Sequence, residues 1–171
     1  ARNLLRYWGK LFKTKFGMKA TNWVWVYGEK GVRTQTPHTD LPWDSNAESA
    51  QVSGHLSPLV ALFGLQKGAH IILWPGSHRA DLQDRIAPVR VDIHPGQCLR
   101  WRGVACVLLR IAAVYCRVPR AGQVLVMSGD LVHSGGAYQE EENIRVHTYL
   151  DVKRFPRSTN QTQYISLNKN K

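Results

Sequence analysis

Three side chains stand out for what their types and spacing could do. His38 and Asp40 lie in the stretch Thr36-Pro37-His38-Thr39-Asp40-Leu41-Pro42-Trp43, and His133 closes Gly129-Asp130-Leu131-Val132-His133. In an extended strand, side chains two apart project to one face, so His38 and Asp40 stand together while Thr39 points away. An imidazole beside a carboxylate, joined by a second imidazole, makes a two-histidine, one-carboxylate set. Such a set holds a divalent iron on one face and leaves its other positions open. A His-x-Asp triplet alone is common, so the weight rests on order and context. A strand-like segment leads into His38 and a Gly-Asp turn leads into His133. Arg145 follows His133 by twelve residues, inside a strand-like run over 144–152.

The elements that must position these residues read as short strands. Residues 22–27, Asn-Trp-Val-Trp-Val-Tyr, alternate in the way of a strand, and 28–31 form a hairpin-like connection. Residues 32–40 read as the next strand and deliver His38 and Asp40. Gln35 and Tyr27 are placed to face the same cavity, with ordinary strand packing as the alternative. Residues 41–53 are polar and read as a loop over the site mouth, with Trp43 either lining the entrance or pinning the loop. Two apolar runs, 55–65 and 69–74, read as buried strands. The turn Trp74-Pro75-Gly76-Ser77-His78 follows, its Ser and His available for local hydrogen bonds. His55, His70 and His94 lack partner spacing and read as non-ligands.

Residues 79–90 form a polar connection and 89–93 a short strand. Residues 94–103 parallel 120–129, with Gly, Gln, Leu and Gly recurring 26 positions apart. The segment between them could be an added strand, a packed helix or an irregular insertion. The 94–120 region as a whole carries Arg100, Arg102, Arg110, Arg117 and Arg120, which makes it the place to seek an anionic partner. Residues 123–127 read as a strand, Asp130 as a plain turn residue, and 131–134 as the segment that carries His133 inward. Gly135-Gly136 allows close approach of the backbone. Residues 138–143, with three consecutive glutamates, read as an exposed hairpin tip. The last core strand, 144–152, places Arg145, His147 and Tyr149 on one face at period two. Arg145 could alternatively be a surface residue pairing with the glutamates.

The whole reads as one domain over 1–171: an amphipathic basic helix over 1–21, a β core over 22–152 and a basic tail over 153–171. The helix reads as packed on the outside of the main sheet with a solvated basic face, rather than as a membrane or nucleic-acid contact. The strands and Gly-rich turns fit an antiparallel all-β barrel or jelly roll. A net charge of +11 and a pI near 10 favour acidic partners, nucleic acid or anionic small molecules among them. Cys98, Cys106 and Cys116 are odd in number and have no Cys-x-x-Cys spacing, which argues against a disulfide framework or a structural zinc site. A reducing intracellular, cytoplasmic setting fits them best. No signal peptide or membrane span is evident: the most apolar window, 104–118, is short and carries Arg110. The chain begins at Ala1 and not at Met, which leaves room for an upstream segment and weakens any argument from a missing signal.

The order His-x-Asp, then Trp-Pro-Gly-Ser-His, then Gly-Asp-x-x-His, then Arg resembles the iron- and 2-oxoglutarate-dependent dioxygenases. It is most similar to their phytanoyl-CoA dioxygenase-like branch, over roughly residues 22–152. The resemblance implies a double-stranded β-helix, cupin-like, with flanking helices. It implies that His38, Asp40 and His133 hold Fe(II) as the catalytic set, and that Arg145 grips the far carboxylate of 2-oxoglutarate. Gln35 and Tyr27 would stand near that cosubstrate. The implied reaction is hydroxylation of a C–H bond in a small-molecule or lipid-like substrate, with release of succinate and CO2. His147 departs from the pattern, because a Ser or Thr often stands two residues after the Arg. Two other readings compete. One is a nucleic-acid-directed oxygenase, disfavoured because Asp151 occupies the place of the second Arg of the DNA-dealkylating branch. The other is a cupin-like binding module without turnover. The sequence sets neither the substrate nor the oligomeric state.

Overall fold

A computed structural model describes residues 2–42, 58–77, 87–93, 113–118, 122–138, 141–152 and 163–164. The chain enters through α1 (Arg2–Phe16), which turns one apolar stripe inward. Trp8 and Phe12, four apart, are fully buried, whereas Arg6, Lys10 and Lys13 stay exposed. The helix stops at Gly17, whose φ of 65° is the left-handed conformation of a helix C-cap. Its N–H donates back to the Lys13 carbonyl at 3.2 Å. The expected helix over 1–21 is therefore shorter, because Met18 already begins β1 (Met18–Gly28).

The remaining strands are β2 (His38–Thr39), β3 (Leu59–Gly64), β4 (His70–Leu73), β5 (Val89–Asp92), β6 (Ala113–Val118), β7 (Gly122–Ser128), β8 (His133–Gly135), β9 (Asn143–Val152) and β10 (Gln163–Tyr164). They form two five-stranded antiparallel sheets, in the orders β1-β9-β3-β7-β6 and β10-β2-β8-β4-β5. This is the jelly-roll core expected from the sequence. Burial of both faces explains why β3 and the 124–127 stretch of β7 are apolar. Val60, Leu62, Leu125 and Met127 face the second sheet, packing with Ile71, Leu73 and Tyr149. Ala61, Phe63, Val124 and Val126 face outward, beneath the helix. Trp8 meets Phe63 edge-on, with ring centroids 5.1 Å apart. Strands buried on both faces lose the polar half of the usual alternation. Among the described residues, no helix is long and apolar enough to cross a membrane.

Three segments differ from the sequence reading, and a fourth takes one of the forms that reading left open. Residues 32–40 do not form one strand: only His38–Thr39 joins a ladder, with an isolated bridge between Val32 and Tyr138. Pro37, which has no N–H to donate, stands directly before that ladder. The 138–143 tip is not wholly exposed, since Tyr138 and Asn143 are buried. Part of the region between the two parallel segments is an added edge strand, β6, paired along β7. The basic tail contributes a strand, because Gln163–Tyr164 forms β10 against β2, opposite Thr39 and His38.

Candidate metal centre

The second sheet brings the two histidines together. β2 and β8 pair antiparallel with His38 directly opposite His133, and the two rings stand 4.5 Å apart between centroids. Residues directly opposite in a ladder share a face. Asp40 lies just beyond β2, where Leu41 N–H donates to the Gly129 carbonyl at 2.9 Å. That bond ties the His-x-Asp segment to the turn preceding His133. One donor atom each from His38, Asp40 and His133 all lie within 4.8 Å of one another. His133 and Asp40 are nearly fully buried and His38 half-buried.

Both rings are oriented by local backbone. His38 Nδ1 stands 2.8 Å from the Thr36 carbonyl, and His133 Nδ1 stands 2.9 Å from the Leu131 carbonyl. A carbonyl only accepts, so each Nδ1 carries the proton in these bonds, and each Nε2 of the neutral ring presents a lone pair. His133 Nε2 sits 3.5 Å from Asp40 Oδ2. Burial, followed by the nearby His38, pushes the His133 pKa down from 6.5 to about 3, so its ring is neutral at pH 7. A neutral nitrogen lone pair and a carboxylate then face each other in a buried site. That arrangement repels itself unless a cation lies between, and the donor set is the one that suits non-haem iron.

The supports of His133 come from two turns. Ser77 Oγ accepts from Val132 N–H at 2.9 Å, and Trp74 N–H donates to the Val132 carbonyl at 3.0 Å. The Pro-Gly-Ser turn thus clamps the residue preceding His133. Asp130 is more than a plain turn residue: it is buried and accepts from Ser128 Oγ at 2.5 Å.

A cavity of about 110 Å³ opens beside the three donors, lined among others by Val26, Gln35, Leu62, Arg145 and His147. Arg145 is 8% exposed, and among the described residues no carboxylate lies within ion-pair distance of it. The reading of it as a surface partner of the glutamates is therefore overturned. Its guanidinium donates to Tyr138 Oη at 3.1 Å and to Gln35 Oε1 at 3.3 Å. Gln35 Oε1 also accepts from Gly135 N–H at 3.0 Å. A Cβ on Gly135 would collide with both the Arg145 and the Gln35 side chains, so glycine is what lets them meet there.

Tyr27 does not face this cavity. Val24 and Val26 stand opposite His147 and Arg145 in the β1–β9 ladder, whereas Tyr27 stands opposite Ile144 on the other face. Tyr27 is 55% exposed and its hydroxyl donates to Glu142. That bond raises its pKa. Val26 lines the cavity in its place. Sequence reasoning also missed Tyr138, whose hydroxyl orients Arg145. Trp43, His55, His78, His94, Cys98 and Cys106 lie outside the described residues, as do Arg100, Arg102, Arg110 and Arg120. His70 is buried apart from the cluster, its Nδ1 2.9 Å from the Gly68 carbonyl.

No family model matches the chain, and no curated protein matches it in sequence. Solved structures do. The chain superposes on the non-haem alpha-ketoglutarate-dependent epimerase SnoN from nogalamycin biosynthesis with a TM-score of 0.55 at 15% identity, covering 97% of this chain and 58% of that one. AviO1 from Streptomyces viridochromogenes Tue57 gives 0.56 at 15% identity, over 89% of this chain and 60% of that one. EctD from S. alaskensis, solved with 2-oxoglutarate and 5-hydroxyectoine, gives 0.51 at 15% identity, over 85% of this chain and 49% of that one. The chain thus spans between about half and three fifths of the length of these structures, and what it shares with them is the fold.

Proposed function

We propose that this chain is an iron- and 2-oxoglutarate-dependent oxygenase that hydroxylates a C–H bond of a small-molecule or lipid-like substrate. The observation that carries the reading is the convergence, in one cavity, of three donors within 4.8 Å and a buried guanidinium without a carboxylate partner among the described residues. His38, Asp40 and His133 would hold Fe(II), and Arg145 would hold the far carboxylate of 2-oxoglutarate. A guanidinium fork suits that role because it matches a carboxylate bidentately. When bound, iron and 2-oxoglutarate supply the oxidising chemistry with O2, releasing succinate and CO2. The protein's own part is to bind and orient. Thr36 and Leu131 carbonyls hold the imidazoles with Nε2 inward, Tyr138 and Gln35 hold the guanidinium, and Val26, Leu62 and Ile71 give the cavity apolar walls.

The Ser77 clamp beside His133 supports the phytanoyl-CoA dioxygenase-like branch within this reading. The net charge of +11 favours an anionic substrate, and a reducing intracellular setting suits both the unpaired cysteine count and a divalent iron. Anaerobic titration with Fe(II) and 2-oxoglutarate tests the proposal through the visible charge-transfer band of the chelated complex. The wild type should show the band, and Arg145→Ala should need about 10- to 100-fold more 2-oxoglutarate, since hydrogen bonds to charged groups contribute about 1.5–3 kcal/mol. No band in the folded wild-type protein would leave a binding module instead.

A further inference from the structure

One polar side chain in the cavity has no part in the proposal above. His147 lies two residues after Arg145 on β9, opposite Leu62 of β3 and Val24 of β1, so it faces the cavity with Arg145. Its Nε2 stands 3.4 Å from Asp40 Oδ2, with the two side chains 14% and 5% exposed. The ring leans on Tyr149, with centroids 4.6 Å apart and planes at 48°. Among the described residues, the donors that lie mutually within 4.8 Å are those of His38, Asp40 and His133. His147 therefore touches the carboxylate without joining the three-donor cluster.

The chemistry of the contact differs from that of its neighbour. The same Oδ2 lies near two imidazole nitrogens, His133 Nε2 at 3.5 Å and His147 Nε2 at 3.4 Å. His133 spends its proton on the Leu131 carbonyl, so its Nε2 has nothing to donate to Asp40. His147 can place its proton on Nε2 and donate. We infer that His147 is a positioning residue: its imidazole fixes the rotation of the Asp40 carboxylate, so that Asp40 meets the metal in one orientation. His147 Nε2 and Asp40 Oδ2 are in contact at 3.4 Å but not hydrogen-bonded to each other, and contacts of this kind tighten when a ligand completes the site. A carboxylate ligand held by an outer partner is a recurring feature of metal sites, and loss of the partner costs affinity without removing a ligand. This inference rests on the reading of Asp40 as a metal ligand. It also gives a physical role to the histidine that stands where the resembled family often carries Ser or Thr.

The test is anaerobic Co(II) titration, followed by the visible ligand-field absorption, on the wild type, Asp40→Asn, His147→Leu, His147→Asn and His147→Gln. Glutamine carries an amide donor at about the reach of Nε2, whereas asparagine is one bond short and leucine has no donor. Expected is a loss of affinity of about 10- to 100-fold in His147→Leu and His147→Asn, with His147→Gln within about threefold of the wild type. The absorption at saturation should match the wild type in all three, because the ligand set is unchanged. Should His147→Leu fail to fold, the Asn and Gln pair carries the same contrast. Wild-type affinity in both His147→Leu and His147→Asn would overturn the inference while leaving the metal site intact. A changed absorption at saturation that glutamine fails to restore would overturn it too, by making His147 a fourth ligand. If the wild type binds no Co(II), or Asp40→Asn binds it equally well, the metal reading itself falls and this inference with it.

Discussion

At the scale of single residues, the site depends on what small side chains permit as much as on what polar ones supply. Gly135 is the instance. It lies two residues after His133 on β8, and a methyl group there would meet the far ends of Arg145 and Gln35. Those ends are flexible, so the fold should tolerate alanine and the cost should fall on the guanidinium. Gly135→Ala is therefore expected to weaken 2-oxoglutarate binding about tenfold, roughly one charged hydrogen bond, while Co(II) binding without cosubstrate stays within about twofold. Paired titrations of the two ligands check this. Equal losses for both would mean that Gly135 shapes the β8 backbone and with it His133. The same logic separates the roles of neighbours on one strand. His133 and Gly135 share a face at period two, one donating to the three-residue cluster and the other making room beside it.

At the scale of elements, the two faces of the first sheet divide stability from chemistry. Phe12 is fully buried under the outer face, stacked with Trp8 at 5.7 Å between centroids and set against Phe63. The cavity lies on the opposite face. Phe12→Ala should cost about 3–5 kcal/mol and lower Tm by roughly 10 °C, with Co(II) affinity unchanged in the folded protein. Thermal melts and titration at a temperature well below the transition check both halves. A parallel loss of affinity would mean that the helix holds the inner face through the sheet. The period of the strands was legible in the sequence, and so were the pairing of His38 with Asp40 and the common face of Arg145 and His147. Tyr27 was not, because its face depends on which β9 residue it opposes and on the bulge between Thr21 and Val24. Asn22 there has a φ of 49°, which shifts the alternation in a way no periodicity count reveals. β10 was hidden for another reason. Two residues in a basic polar tail carry no pattern, and their place beside His38 is a tertiary fact. The extended reading of 32–40 failed at Pro37, whose effect on the ladder depends on which neighbour is present.

At the scale of the whole molecule, the buried site and the basic surface respond to acid in the same direction and must be separated. The His133 pKa in the folded protein is lowered to about 3, against 6.5 for an ordinary imidazole. The unfolded chain therefore takes up a proton as pH falls below about 6.5, and the folded metal-free protein does not until about 3. Stability is fully present above about 6.5 and is lost progressively between those two values, at about 1.4 kcal/mol per pH unit for one proton. From pH 6.5 to 5 the loss from this ring is about 2 kcal/mol, before most carboxylates titrate. A chain of net charge +11 with seven histidines also gains self-repulsion over the same range, so the raw slope mixes two causes. Substituting the buried ring isolates its share. Urea unfolding of the metal-free protein at pH 7 and pH 5 should show the wild type losing about 2 kcal/mol more than His133→Asn between the two values. Equal losses would mean that water or a proton reaches His133 in the folded state. The neutral, lone-pair-inward ring on which the metal reading depends would then not be its resting form.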